Sequence, residues 1–495
     1  MSTTRTVAAI DLGAESGRVA SVTYDGKSLD LSVEHRFSHE PFRHDGVLRW
    51  DLPRIQAEIS AGLGKLSRGS ERIWSVGADT WGVDYGLLGV DDRLVDLPTC
   101  YRDARQVRAM HEAMDTVGGD ALYLATGVQI IPINTVFGLM ADLRDHPGRI
   151  EAARTLLMMP DVIHHSLCGS TTTEYTAAST SGAYDMAGRR WSSEVLRMLD
   201  IPERLMPEVV PPGTDVGALA EASGALVGAR VIVPPGHDTA SAVVGVPFAS
   251  PGAMFISSGT WSLVGVETER AIVSEASLRA NLTNEGGYGD TVRLLRNVMG
   301  LWILQECRRQ WAKEGSDLSY PEIVALAERE PGLRSLIATD SNLFLGAGDM
   351  PGRIRGFCEQ TGMPVPETVG QVARCIFDSL ALSYASVADD VATVTGTRPP
   401  AVNIVGGGAS NALLSQLTAD ATGVPVYCGP VEATALGNAG VQLAALGEFD
   451  DLGQIREAIG QTADIVVYDP RVGRDWAAAA QTVAALPRLE PPDSG

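Results

Sequence analysis

The sequence predicts an α/β fold made of a duplicated domain, and three observations predict it. The chain has 495 residues, more than a single hydrophobic core serves, so two domains are expected. Short apolar runs at residues 7–10, 19–24, 73–78, 231–233, 255–257 and 402–405 alternate with longer amphipathic stretches, the pattern of strands laid against helices. Residues 7–24 read VAAIDLG, AESG, RVASVTY, a strand, a turn of small residues and a second strand, and residues 253–266 repeat the scheme as AMFISSG, TWS, LVGV. Tight hairpins occur in every fold class. Two of one design, each opening a half-chain of similar pattern, point to duplication. The boundary falls at 247–252, where the chain turns rich in Pro and Gly, which gives domains over 1–247 and 248–488. Residues 489–495, with Pro491 and Pro492, are expected to be a frayed tail.

The clearest helix is expected over 369–394. There Val372, Ile376, Leu380, Val387, Val391 and Val394 recur at helical spacing, and Gly396 supplies the stop. Composition is that of a globular protein, 45% hydrophobic and 20% charged. The net charge of -22 repels nucleic-acid phosphates and anionic lipid, so neither is expected as a partner. The same field repels a nucleotide, so any nucleotide site has to be built locally from backbone amides, hydroxyls and a metal. Six cysteines form no CxxC pair and no zinc-ligand cluster, which suits a reducing cytoplasm. The polar start of the chain and the lack of a long uncharged apolar run leave no signal peptide and no membrane span to expect.

The two hairpins are the first candidate site. A turn of small residues lets backbone N–H groups point at one spot, and two such turns can clasp a polyphosphate. The alternative phosphate loop, GxxxxGK[ST], is absent: Gly64-Lys65 is followed by Leu66 and lacks the earlier glycine, and no GxGxxG occurs either. Asp11 closes the first strand, placed either to hold a magnesium ion through water or to satisfy the turn's own amides. Arg18 reads as a phosphate clamp or a strand-surface charge, and Ser258 and Thr260 as phosphate donors or plain turn formers. In NIVGGGASNALLSQLTADATG, Gly406-Gly407-Gly408 sit between a strand and a helix opening at Ser410 or Asn411. That arrangement suits a flat ring or phosphate lying on backbone at a helix N-terminus, or a close packing turn. GPVEATALGNAG, residues 429–440, is expected to pack behind the same pocket.

The acid–base candidate lies in PPGHDTASAVVGV, residues 234–246. A strand ends, a Pro-Pro-Gly turn follows, and a helix starts after Asp238, which places Asp238 as an N-cap whose carboxylate the helix amides keep ionised. Such an Asp either caps the helix and no more, or accepts the proton of a hydroxyl that attacks a phosphoryl group. His237 beside it reads as a structural histidine or a site residue.

These strings, with GADTWGVDYGLL, YRDAR, GVQIIPINT, LLMMPD, EYTAAST, SSGTWSLVG, NLTNEGG, LRNVMGLWILQ, VARCIFDSLALSYA and IVGGGASNALL in order along nearly the whole chain, resemble the FGGY carbohydrate kinases, and within them those that act on L-rhamnulose. The resemblance implies two duplicated actin/hexokinase-like (ribonuclease H-like) domains around a central cleft, each with a five-stranded mixed sheet. It implies ATP and magnesium as cofactors, L-rhamnulose as substrate, a cytoplasmic location, and a monomer or homodimer. Position by position it assigns Ala14, Glu15, Ser16, Gly17 and Arg18 to the first phosphate loop and Asp11 to the magnesium side. Thr260, Gln305 and Gly407 go to the nucleotide, and Gly82, beside Asp79, Thr80 and Trp81, goes to the sugar with His237, Asp238, Thr239 and Asn297. Asp238 becomes the general base that takes the proton of the carbon-1 hydroxyl as its oxygen attacks the γ-phosphoryl of ATP, and domain closure excludes water.

Three departures matter. Ala14 stands where the wider family has Thr, which resembles the L-rhamnulose kinases. Glu15 puts an acid in a phosphate loop, so its side chain has to turn away or be neutralised by Arg18. Cys358 and Cys375 occupy positions where such a kinase can carry a disulfide. Two other readings stay open: a family member acting on fuculose, xylulose or ribulose, and a non-catalytic ATP-binding sensor or chaperone-like ATPase on the same fold.

Overall fold

The computed structural model describes residues 4–489. Residues 490–495, most of the expected frayed tail, lie outside the described residues, whereas Leu489 is tied down: its carbonyl accepts from Ser341 Oγ at 2.6 Å and Leu343 N at 3.0 Å. The chain divides into two compact units that interleave in sequence. The first comprises Met1–Pro247, Glu267–Leu294 and Glu432–Ala463, and the second Phe248–Val266, Leu295–Val431 and Asp464–Gly495. The expected second stretch therefore lends two segments, 267–294 and 432–463, to the first unit.

The first unit is built on β1 (Arg5–Leu12), β2 (Ser16–Tyr24), β3 (Leu29–Ser38), β4 (Ile73–Thr80), β5 (Asp215–Ala218) and β6 (Arg230–Ile232), in the order β5-β6-β4-β1-β2-β3. β1 is antiparallel to β2 and parallel to β4, while β6 runs parallel to β4 and antiparallel to β5. The fully apolar central strands follow from burial on both faces: Val7, Ala8, Ala9 and Ile10 are all inaccessible to solvent. Helix α1 (Leu52–Ser67) covers one face through Ile55, Ile59 and Leu63, starting at the Asp51 cap. Gly64-Lys65 lies inside that helix, not in a strand-to-helix loop, which agrees with its rejection as a phosphate loop.

The second sheet repeats the plan. It contains β7 (Met254–Ser258), β8 (Ser262–Thr268), β9 (Thr283–Gly286), β10 (Val292–Val298), β11 (Val402–Val405), β12 (Val426–Cys428) and β13 (Val466–Tyr468), in the order β9-β10-β8-β7-β11-β12-β13. Again the opening strand is antiparallel to the next one and parallel to a later one. Each sheet thus has the expected five-stranded kernel, β3-β2-β1-β4-β6 and β10-β8-β7-β11-β12. The kernels are extended by the edge strands β5, β9 and β13, making six and seven strands. β5 and β13 each pair antiparallel with the outermost parallel strand, which shields a kernel edge that would otherwise expose unpaired amides.

The remaining elements that matter are α2 (Asp238–Val244), α3 (Trp302–Lys313), α4 (Val369–Thr395), α5 (Ala412–Thr422) and α6 (Ala433–Ala445). α4 spans the expected helix and stops at Gly396 with φ +78°, a left-handed conformation that glycine takes without steric cost. All six cysteines are free, and Cys358 and Cys375 face each other as hydrogen-bonded thiols, not as a disulfide. Among the described residues no helix is long and apolar enough to cross a membrane.

Candidate active site

In the first unit the β1–β2 turn is Gly13-Ala14-Glu15, closed by Gly13 N donating to Ser16 O at 2.9 Å. Ser16, Gly17 and Arg18 already belong to β2. The strand register sets Asp11 opposite Arg18 on β2 and opposite Asp79 on β4. Arg18 is engaged by carboxylates on both sides: Nη2 lies 2.7 Å from Asp11 Oδ2, and Nη1 pairs with Glu432. Arg36 joins the same Glu432 at 3.1 Å. Register carries Arg18 to Asp11, and Arg102 of the YRDAR string feels the Glu15 charge.

Asp79 is fully buried at the end of β4, and Asn438 of α6 donates to its Oδ2 at 2.6 Å. Burial first, and the Asp11 charge second, push the Asp79 carboxyl well above the usual range. The α6 face is pinned along the sheet by Gln442, which donates to Ala8 O at 3.0 Å and accepts from Ser75 Oγ at 2.7 Å. Residues 432–440 thus pack behind Asp79 and against α2. Backbone reaches backbone there, since a Cβ on Gly437 would stand 1.9 Å from Ser241 O and one on Gly245 would stand 2.2 Å from Ala433 O.

Asp238 is the first residue of α2, with His237 at the cap position, so it is not the expected N-cap. Its Oδ1 accepts from Thr239 N at 2.6 Å and from Thr239 Oγ1 at 3.3 Å. Burial raises its pKa, with the Asp11 charge adding to that and His237 opposing it. Desolvation outweighs those donors in setting the direction of the shift, and a carboxyl so raised is a better proton acceptor. The turn before it is fixed by Glu174, buried in EYTAAST. Glu174 accepts from Gly236 N at 2.7 Å, Thr176 N at 2.8 Å and Thr176 Oγ1 at 2.6 Å.

Gly82 faces His237, since a Cβ there would lie 3.2 Å from His237 Nε2. Val83 next to it has φ +67°, a strained conformation for a β-branched residue. It is held by Val83 N donating to Thr180 Oγ1 at 3.0 Å and by Thr135 Oγ1 donating to Val83 O at 2.5 Å. Trp81 and Trp50 both donate from Nε1 to Asp84 Oδ2, at 2.8 and 2.5 Å. One turn thus carries Asp79, Gly82 and Asp84.

Burial raises both the Asp84 and Glu174 carboxyls to about 7 against their hydrogen-bond donors. The folded chain then keeps protons that the unfolded chain releases near pH 4, so stability is fully present below that value and is lost as the pH rises from about 4 to about 7. Asp84→Asn removes one such group. Its urea midpoint is expected to fall less than the wild type's between about pH 5 and about pH 7.5; an equal fall would contradict the assignment.

In the second unit the matching turn, Gly259-Thr260-Trp261, closes through Gly259 N donating to Trp261 O at 2.9 Å. It is the hub for the other expected residues. Thr260 O accepts from Trp302 N at 3.0 Å at the start of α3, the helix that carries Gln305. Gln305 Oε1 is buried without a hydrogen-bond partner. On the other side of the turn a Cβ on Gly408 would sit 2.0 Å from Ser258 Oγ, whereas one on Gly407 would meet nothing within 4 Å. Gly406 has φ +80° and Asn411 caps α5 by accepting from Leu414 N at 3.1 Å. Asn297 is half-buried on β10 and belongs to the second unit.

Glu174, Glu285, Arg293, Glu432 and Asn438 were not singled out from the sequence. Each is a polar residue buried or half-buried in the fold whose partners are supplied by distant segments. Among the described residues no group of three or more His, Cys, Asp or Glu is disposed to hold a metal.

Two family models match the chain: the FGGY family of carbohydrate kinases, N-terminal domain, over residues 6–245, and its C-terminal domain over residues 254–446. A rhamnulokinase of Bacteroides thetaiotaomicron is 38% identical over 474 residues, covering 95% of this chain and 97% of its own. One of Pectobacterium carotovorum is 39% identical over 494 residues, covering 99% and 98%. Among solved structures, a ligand-bound xylulose kinase from Lactobacillus acidophilus shares the fold with a TM-score of 0.77 at 18% identity, covering 97% of this chain and 96% of that one. A Plasmodium falciparum glycerol kinase with ADP does so at 0.74 and 14% identity, covering 97% and 96%. Family models over both halves and relatives matched end to end agree with the duplicated fold: the chain belongs to the FGGY family of carbohydrate kinases and is a carbohydrate kinase.

Proposed function

We propose that the protein transfers the γ-phosphoryl of ATP to the carbon-1 hydroxyl of L-rhamnulose, giving L-rhamnulose 1-phosphate and ADP. The observation that carries the reading is 38–39% identity with rhamnulokinases along nearly the whole chain. The reading gives 1–247 the sugar site and first phosphate loop, and 248–488 the nucleotide site. Asp238 accepts the hydroxyl proton as the oxygen attacks phosphorus, a role its raised pKa supports. Gly82, His237, Thr239 and Asn297 bind the sugar. The amides of Ala14, Glu15, Ser16 and Gly17, with Arg18, serve the phosphates, and Thr260, Gln305 and Gly407 serve the nucleotide.

Magnesium fits the donor set as an ion held mostly by water and phosphate, with Asp11 as its protein carboxylate, the usual way this reluctantly dehydrating cation is bound. When bound it would neutralise phosphate charge. The protein's own work is positioning, because a loose phosphoryl-transfer transition state leaves little covalent chemistry to supply.

L-Rhamnulose is a 6-deoxy ketose, so carbon 1 bears its only primary hydroxyl. The product's phosphorus NMR signal is expected to split into a triplet from two geminal protons. A doublet would place the ester on a secondary carbon and contradict the proposal. For the nucleotide side, Gly407→Ala is expected to keep wild-type stability, since its Cβ meets open space. It should also raise the ATP dissociation constant about tenfold, the scale of one lost close contact. Unchanged ATP affinity would remove Gly407 from the site.

A further inference from the structure

A second buried cluster stands behind His237, and no role above accounts for it. Arg293, on β10 within the first unit, has no solvent exposure. Its Nε donates to Gly286 O at 2.7 Å, and its Nη2 lies 3.2 Å from Glu285 Oε2 and 3.3 Å from His237 Nδ1. Glu285 Oε2 is itself 3.2 Å from His237 Nδ1. On its other side the imidazole presents Nε2, 3.5 Å from Asp238 Oδ1, towards the space that Gly82 leaves by lacking a Cβ.

One ring nitrogen is thus offered both a cation that can only donate and a carboxylate that can only accept, and the choice decides what the other nitrogen does. A guanidinium never gives up its protons. If Nδ1 accepts from Arg293, the imidazole proton must sit on Nε2, which then donates towards Asp238 and the open space. If Nδ1 donates to Glu285, a neutral ring turns a bare lone pair towards the Asp238 carboxylate, setting two acceptors face to face. The second arrangement is repulsive. In the first, Glu285 has a separate task, balancing Arg293, a cation that would be costly to bury alone.

We propose that Arg293, held by Glu285 and the Gly286 carbonyl, is a positioning residue that keeps His237 in the tautomer with its proton on Nε2. That N–H then serves as a donor in front of Asp238. This rests on the reading that the acceptor sugar binds at Asp238, where such a donor would fix a sugar oxygen beside the base. The planar fork is essential: it reaches Gly286 O, Glu285 and His237 at once, which the single ammonium of a lysine cannot do.

The test begins with the unaltered full-length protein labelled with 15N in its histidines, with the His237 signals assigned by their loss in His237→Asn. The expected spectrum has an Nε2-protonated, neutral His237. An Nδ1-protonated ring would overturn the proposal whether or not any variant folds. In Arg293→Met and Arg293→Lys the His237 signals are expected to move towards the other tautomer, and kcat/KM for the sugar should fall roughly tenfold to a hundredfold. ATP affinity should be unchanged, and Lys should not rescue the loss. Variants with wild-type His237 signals would also overturn it. If no sugar stimulated ATP turnover while the tautomer results held, the kinase reading would fail and the tautomer assignment would stand, so the two failures are distinguishable.

Discussion

Asp238→Asn is expected to cut sugar-dependent phosphoryl transfer about a thousandfold, within the range a positioned general base contributes, while leaving ATP affinity unchanged. The amide is isosteric and can still accept from Thr239 N, the bond now made at 2.6 Å, so the turn has no reason to move. What is lost is the ability to take a proton. The electrostatics supply an internal control. Asp238 is a half-buried carboxyl in the field of Asp11, and desolvation and that charge both raise its pKa. Removing that carboxylate relieves repulsion, so the variant should be at least as stable as wild type, the usual trade between a functional charge and the fold. Measured urea midpoints beside single-turnover rates check both halves. A variant that lost activity together with stability would point to a structural Asp238, and one that kept its rate would remove it as the base.

The second large effect concerns packing. Gly437→Ala is expected to cost about 3 kcal/mol, since overpacking against backbone has no soft neighbour to displace. The new Cβ would stand 1.9 Å from Ser241 O and 2.9 Å from Gly245 N. In an exposed helix the same change would gain about 1 kcal/mol of helix propensity, so here the sign is reversed by contact alone. Because Ser241 lies on α2, the strain falls on the helix that begins with Asp238, and activity should fall with stability. Gly356→Ala is the control: it also lies in a helix, and its Cβ would meet nothing within 4 Å. It should be neutral or mildly stabilising. Equal midpoints for Gly437→Ala and wild type would refute the close backbone packing of α2 on α6.

How much of this was legible in the sequence depended on how local the signal was. The two hairpins, the strand at 402–405, the long helix with its Gly396 stop and the Asn411 cap all rest on neighbours in sequence. Their periodicity and turn chemistry carried them directly. The actual strands run a residue or more beyond the apolar runs, because β1 continues through Asp11 and β4 through Thr80, polar residues that end buried at the site. Edge strands β5, β9 and β13 carry too short or too polar a pattern to stand out, and β13 pairs with a strand about forty residues earlier. Helix α6 reads from the sequence as small-residue packing, and nothing local ties Asn438 to Asp79. Asp238 was placed one position early relative to its helix, and that single step changed the expected environment of its carboxylate. Arg18 lies three residues from Glu15 in the sequence, but strand register pairs it with Asp11. The buried charges Glu174, Glu285 and Arg293 declare themselves only when the chain is folded, which brings Gly236 N to Glu174 and sets Arg293 beside Glu285 and His237.

The central claim is tested most directly by ADP release with ATP and magnesium against L-rhamnulose, L-fuculose, D-xylulose and D-ribulose. Discrimination by one methyl or hydroxyl group in a pocket is worth about 1–3 kcal/mol, so kcat/KM for L-rhamnulose is expected to exceed the others by about tenfold or more. A preference for another ketose would keep the kinase and contradict the substrate. ATP turnover indifferent to every sugar would contradict the account of the site, and favour a sensor or chaperone-like ATPase on this fold.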